Sequence, residues 1–147
     1  MDGTNGGVAP AQTGAEAFDV EIGGVAYSVG APTLGAMTEF VGWARSETIR
    51  RTNEAIRGAG QMSPTEIAGY RDAAVRRAAA LTIGSPDLAD FLNSADGIAR
   101  MLWAVIADKK GTTLEAFTRA VLSARGEEAD RIGDAFRRIA ALARLIR

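Results

Sequence analysis

The segment FDVEIGGVAYSV, residues 18–29, predicts the β-structure of this chain. Gly23 and Gly24 fit a two-residue turn in which both residues take a positive φ. Side chains alternate along a strand, so this register places three facing apolar pairs on one face: Ile22–Val25, Val20–Tyr27 and Phe18–Val29. The segment therefore predicts a β-hairpin with one apolar face, and we expect both outer strand edges to be unpaired within the chain.

The rest of the chain predicts about six helices, marked by capping residues and by apolar side chains at helical spacing. A hairpin this small needs a cover for its apolar face, and the segment that follows it, 34–44, is the predicted cover. The apolar pattern thins from Arg45 to Glu54, and Tyr70 is expected on the inner face of the next helix. The predicted helices are 34–44 with a polar continuation, 64–81, a short one ending at Leu92, 95–110, one from Thr112 to Ala124, and 127–146.

These elements define a mainly α (α+β) fold, with an N-terminal two-stranded β-hairpin packed on a bundle of about five to six helices. Residues 1–16 consist mostly of glycine, alanine and small polar residues without periodicity, and we expect a flexible tail there. Residues 17–147 are predicted to form a single hairpin-plus-helical-bundle domain, a length that can enclose a core.

The composition argues against an enzyme. The chain has no cysteine and no histidine, which excludes thiolate nucleophiles, imidazole bases and serine–histidine–acid triads. No Asp-x-Asp-x-Asp-Gly calcium loop occurs, and KKGTT at 109–113 lacks the residue order of a phosphate loop. The expected reading is a protein without catalytic residues, metal or cofactor.

No stretch of the sequence predicts a membrane segment. The longest wholly apolar run, 101–107, has seven residues, whereas a spanning helix needs roughly 20. The first residues lack the basic and apolar regions of a secretory signal, so we expect a cytoplasmic location.

The charge distribution gives no clear sign of nucleic-acid binding. Residues 45–147 hold all 17 basic residues, yet the net charge of the whole chain is −1. Nucleic-acid binders usually have a clearly basic domain. The arginine pairs at 50–51, 76–77 and 137–138 are therefore interpreted as solvated helix faces.

Several apolar residues are candidates for contact with another protein. Trp43 lies at the rim of its helical stripe, although core packing is the commoner role of a tryptophan. Leu142 and Leu145 lie off the main apolar stripe of the last helix, where packing within the monomer and contact with another chain are equally good interpretations. The predicted partner-binding set is Val25, Tyr27, Phe40, Trp43, Leu142 and Leu145.

Two stretches, FDVEIGGVAYSVGAPTLGAMTEF (18–40) and MLWAVIADKKGTTLEAF (101–117), resemble tail assembly chaperones of long-tailed bacteriophages and prophages. The first resembles the family's hairpin with a Gly-Gly turn and a Pro-Thr-Leu helix start. The second resembles its Leu-Trp helix, polar break and Thr-Leu-Glu helix start. The likeness covers about residues 17–42 and 98–122, and the polar stretch 45–62 departs from it.

The resemblance implies a non-enzymatic chaperone in the cytoplasm of a bacterial host. Such proteins coat the helical tape-measure protein and assist assembly of the tail tube, so the implied partners are the tape-measure protein, the tail tube protein and further copies of the chain. Nucleic acid and membrane are not among them. Two alternatives remain open: a virion structural or connector protein of a phage tail, and a small helical interaction or regulatory protein.

Overall fold

A computed structural model describes residues 17–144 of the chain, so the predicted tail 1–16 and Leu145 lie outside the described residues. Within this range it has a two-stranded antiparallel hairpin followed by six helices, which confirms the predicted fold class. The elements are β1 (Phe18–Ile22), β2 (Val25–Val29), α1 (Leu34–Ala59), α2 (Pro64–Ala80), α3 (Leu88–Leu92), α4 (Ala95–Val105), α5 (Leu114–Ser123) and α6 (Glu127–Arg144).

The hairpin has the register that the sequence predicts. Ile22 faces Val25, Val20 faces Tyr27 and Phe18 faces Val29. Gly23 and Gly24 have φ values of 62° and 81°, which a side chain at either position would disfavour. The apolar face is buried and the face of Asp19, Glu21, Ala26 and Ser28 is exposed.

The helices whose backbones come closest to the hairpin are the two C-terminal ones, whereas the sequence predicts segment 34–44 as its cover. α6 packs along β1, and α5 packs beneath it. The Tyr27 ring meets the Phe117 ring of α5 edge to face, with 5.3 Å between ring centroids. The apolar periodicity of α6 matched this role as well as that of α1 did, because periodicity identifies a buried face and not the element that buries it.

The outer edges of the hairpin are less open than the sequence predicts. The Gly23 amide donates a 2.7 Å hydrogen bond to the Glu128 carboxylate, and the Arg138 guanidinium lies 3.8 Å from the centre of the Phe18 ring. Glu21, on the exposed face of β1, also forms an ion pair with Arg131 of α6. These contacts show that α6 runs antiparallel to β1 along its whole length.

The edge of β2 is also partly occupied. Val29 forms an isolated antiparallel bridge with Ile106, and the Ala107 amide donates a 3.3 Å hydrogen bond to the Ser28 carbonyl. The prediction that both edges are unpaired within the chain is thus wrong for β2, whose open part is the region of Ala26.

The same bridge explains why α4 ends at Val105 rather than at residue 110 as predicted. Ile106 turns to extended backbone to reach β2, a long-range contact that capping rules do not detect. The chain then reverses through Lys110 and Gly111, both with positive φ. Lys109 donates hydrogen bonds to the carbonyls of Trp103 and Ile106 and so caps the end of α4.

α1 continues as a helix through its polar half to Ala59, and α2 folds back on that half. We call this pair, residues 45–59 and 64–80, the arm. The buried residues of α2 are two alanines, Ala74 and Ala78. Tyr70 was expected to be buried with them, yet 57% of its surface is exposed.

Candidate functional site

The structure separates the six predicted partner-binding residues into three groups. Tyr27 and Phe40 are core side chains, and the Tyr27 hydroxyl shares a 3.1 Å hydrogen bond with the Thr112 hydroxyl. Val25, Trp43 and Leu142 are half-buried, and Leu145 is outside the described residues. The structure does not gather the set into one surface, and a partner-binding role for it stays a prediction.

Trp43 belongs to an aromatic cluster between α1 and α3. Its ring centroid lies 5.4 Å from that of Phe40 and 5.7 Å from that of Phe91. The cluster therefore joins the first half of α1 to the short helix α3, and it marks the point from which the arm continues.

The base of the arm is held by charged side chains that sequence reasoning missed. Arg45 donates two hydrogen bonds, of 3.2 and 2.6 Å, to the Leu81 carbonyl just after α2. Glu47 is buried, with 7% of its surface exposed, and it accepts hydrogen bonds from Arg50 and Arg51. The Arg51 guanidinium also lies 4.8 Å from the centre of the Phe91 ring.

The available signal for this network was the spacing of Glu47, Arg50 and Arg51. Residues three and four apart are neighbours on a helix, so a glutamate followed at those positions by arginines forms local ion pairs. The spacing does not reveal that the Arg51 guanidinium lies over Phe91 of α3 or that the Glu47 carboxylate is buried. Hydrogen bonds from Arg50 lower the pKa of Glu47 from its ordinary value of 4.5, against the opposing effect of burial.

We expect Glu47→Gln to remove a pH-dependent part of the stability. A carboxylate whose pKa is lowered by folding stabilises the fold above its unfolded pKa of 4.5, and this contribution is lost as the pH falls through the folded value. The variant should be less stable by about 1–2 kcal/mol at neutral pH. Urea unfolding of both proteins should show this difference shrinking as the pH falls below 4.5.

Glu54→Gln is the matched control for that prediction. Glu54 pairs with the same Arg50 at 2.9 Å, but its carboxylate is exposed. Exposed pairs contribute little, so this variant should stay within about 0.5 kcal/mol of the parent protein. An equal loss in both variants would contradict the role given to burial of Glu47.

The outer surface of the arm carries large apolar side chains in contact with solvent. Tyr70 and Val75 of α2 are 57% and 53% exposed, and Ile49 of α1 is 37% exposed. Between the helices Arg71 bonds to Asn53, and Arg77 bonds to Thr52. The fully buried side chains of α2 are thus small, Ile56 and Ile67 are half-buried, and three larger apolar residues of the arm are exposed.

A second polar–aromatic contact lies at the end of α4 and serves the fold. The Lys109 ammonium is 4.7 Å from the centre of the Trp103 ring while it binds the carbonyls that end this helix. Burial lowers the pKa of Lys109, and the negative charge of Glu39 opposes that shift. These partners account for the position of the side chain.

Within residues 17–144 no group of three or more acidic side chains is arranged to hold a metal ion. None of the helices in this range has the combined length and apolar character that a bilayer-spanning segment needs. Comparisons of the chain with protein-family models, with curated proteins and with solved structures found no match. The fold and the arm define a mainly helical protein with an N-terminal hairpin and an exposed two-helix projection.

Proposed function

We propose that the protein is a non-enzymatic phage tail assembly chaperone. It binds the helical tape-measure protein in the cytoplasm of the bacterial host and assists assembly of the tail tube. The proposal combines the resemblance of 18–40 and 101–117 to that family with the exposed surface of the arm. It assigns no catalytic residue and no cofactor, and its further partners are the tail tube protein and other copies of the chain.

The observation that carries the proposal is the outward placement of apolar side chains on the arm. α2 packs mainly on α1, and it buries only Ala74 and Ala78. Tyr70 and Val75 therefore remain available on a rigid helix. A partner helix that lays its apolar side on such a surface is a common mode of peptide recognition, and a tape-measure protein offers many helical segments of that kind.

The hairpin is not the proposed binding element, although its sequence predicts two unpaired strand edges. With α6 beside β1 and Ile106 bridged to β2, an added strand has little free edge to join. Recognition by helix packing on the arm is therefore preferred over strand addition at the hairpin.

The test is co-expression with the long helical protein encoded nearest to this chain. We expect the two proteins to co-purify, and we expect Tyr70→Arg and Val75→Arg each to weaken binding by about tenfold or more, because a charge would replace a buried apolar contact. Titration calorimetry of the purified partners measures the affinity.

Leu122→Arg is the matched control. Leu122 is also a large apolar side chain and is 42% exposed, but it belongs to α5, outside the arm. It should bind as the parent protein does. Absence of co-purification, or an equal loss in the control, would overturn the proposal. Mass spectrometry of mature particles separates a chaperone, which is absent from them, from a structural component of the virion.

A further inference from the structure

The outer face of α2 carries one acidic and one basic residue, which can pair with the same two residues of a second copy. The inner face of this helix is fixed by Ala74 and Ala78, which are buried against α1. At 3.6 residues per turn, Asp72 and Arg76 fall on the opposite side of the helix, and both are exposed. The ion pairs of the arm among the described residues join Glu47 and Glu54 to Arg50 and Arg51, so they leave Asp72 and Arg76 without an ionic partner.

The positions of these two charges are symmetric about Ala74. Asp72 comes two residues before it and Arg76 two residues after it. If a second α2 lies antiparallel with its Ala74 at the same level, each Asp72 comes level with Arg76 of the other copy. Two identical ion pairs then form at once, which is the property of an isologous contact around a twofold axis.

The rest of this face allows two helix backbones to approach closely. Its other side chains are small, so they do not hold the helices apart. They are Thr65, Ala68, Gly69 and Ala79, all exposed.

We propose that two copies of the chain associate through the outer faces of α2, packed antiparallel with reciprocal Asp72–Arg76 pairs. The helix has 17 residues and is about 25 Å long, so one helix pair buries an area at the low end for specific interfaces. The resulting dimer is weak and forms in a concentration-dependent way. The inference does not depend on the tape-measure proposal, because the dimer is measured on the protein alone.

Reversing the charge of Asp72 or of Arg76 tests whether the outer face of α2 forms the dimer interface. Analytical ultracentrifugation of the parent protein over a range of concentrations should show an average mass that rises from 15.4 kDa toward twice that value. Asp72→Arg places four positive charges in the interface, and Arg76→Asp places four negative ones. Each variant should raise the dimer dissociation constant by about tenfold or more. Circular dichroism should show that both stay folded.

Two combinations then distinguish this pairing from a general effect of charge. The double variant with Asp72→Arg and Arg76→Asp restores both pairs in reversed sense, so it should dimerise as the parent protein does. An equimolar mixture of the two single variants should form a heterodimer about as tight as the parent dimer, because two opposite-charge pairs form again. Asp19→Arg, a reversal at an exposed strand position outside the arm, is the control and should change nothing.

A parent protein that remains monomeric up to about 1 mM would overturn the inference, since that concentration exceeds the dissociation constant of even a weak specific dimer. A double variant that fails to recover, or a control that loses as much as the single variants do, would overturn it as well. Loss of tape-measure binding with an intact dimer would contradict only the proposed function.

Discussion

Replacing Gly97 by alanine is expected to lower the free energy of unfolding by about 3 kcal/mol. Gly97 is buried in the first turn of α4, and a Cβ at this position would overlap the carbonyl oxygen of Phe91. The backbone there has little freedom to move, because Ser94 accepts a 3.0 Å hydrogen bond from the Gly97 amide and donates one of 2.9 Å to the Phe91 carbonyl. Urea unfolding followed by circular dichroism measures the loss.

Gly42→Ala is the matched control, because Gly42 is also a helical glycine but a Cβ there meets no atom within 4 Å. Alanine restricts the unfolded chain and favours the helix, so this variant should gain about 0.5–1 kcal/mol. Opposite signs for the two glycine-to-alanine changes would confirm that close approach to Phe91 decides the first result. A Gly97 variant as stable as the parent protein would show that the α3–α4 junction adapts.

Replacing Phe117 by alanine is expected to cost about 4 kcal/mol. Phe117 is 1% exposed and its ring lies between two others, 5.3 Å from the Tyr27 ring and 5.3 Å from the Trp103 ring. It therefore joins the hairpin to α4 and α5, and its removal leaves a cavity where three elements meet. The same unfolding measurement should show a clearly lower urea midpoint.

The control for this variant is Leu122→Ala on the same helix. Leu122 is 42% exposed, and an exposed truncation of this kind should change the stability by about 0.5 kcal/mol. A small effect at Phe117 would mean that the hairpin does not depend on α5 for its cover.

The parts of the fold that the sequence predicts are those with a local cause. Gly23 and Gly24 determine the turn, and strand alternation then determines every pair of the hairpin. The starts of α1, α2 and α4 follow from Thr33, Ser63 and Ser94, whose side chains accept the expected backbone hydrogen bonds.

The parts that could not be predicted depend on contacts between distant segments. The end of α4 is set by the Val29–Ile106 bridge, and the cover of the hairpin is set by where α6 returns. An apolar stripe shows that a helix buries one side, and both α1 and α6 met that condition. Only the tertiary structure decides which of them reaches β1.

The arm also has features that depend on contacts between distant segments and that the sequence therefore does not predict. The spacing of Tyr70, Ala74 and Ala78 predicts one inward face, yet only the two alanines are buried and Tyr70 is 57% exposed. The residues next to Glu47 in the sequence are those of an ordinary solvated glutamate, yet Glu47 is buried, and its partner Arg51 lies over the Phe91 ring of α3.

The bond between Gly23 and Glu128 spans 105 residues, which bears on how the chain matures during synthesis. The ribosome therefore translates the hairpin about 105 residues before the helix that packs beside it. At about 5–20 residues per second, Val20 and Ile22 of the nascent hairpin lack this contact for about 5–20 s. Folding of the hairpin therefore depends on a helix that is made much later, and contacts so distant along the chain favour slow folding.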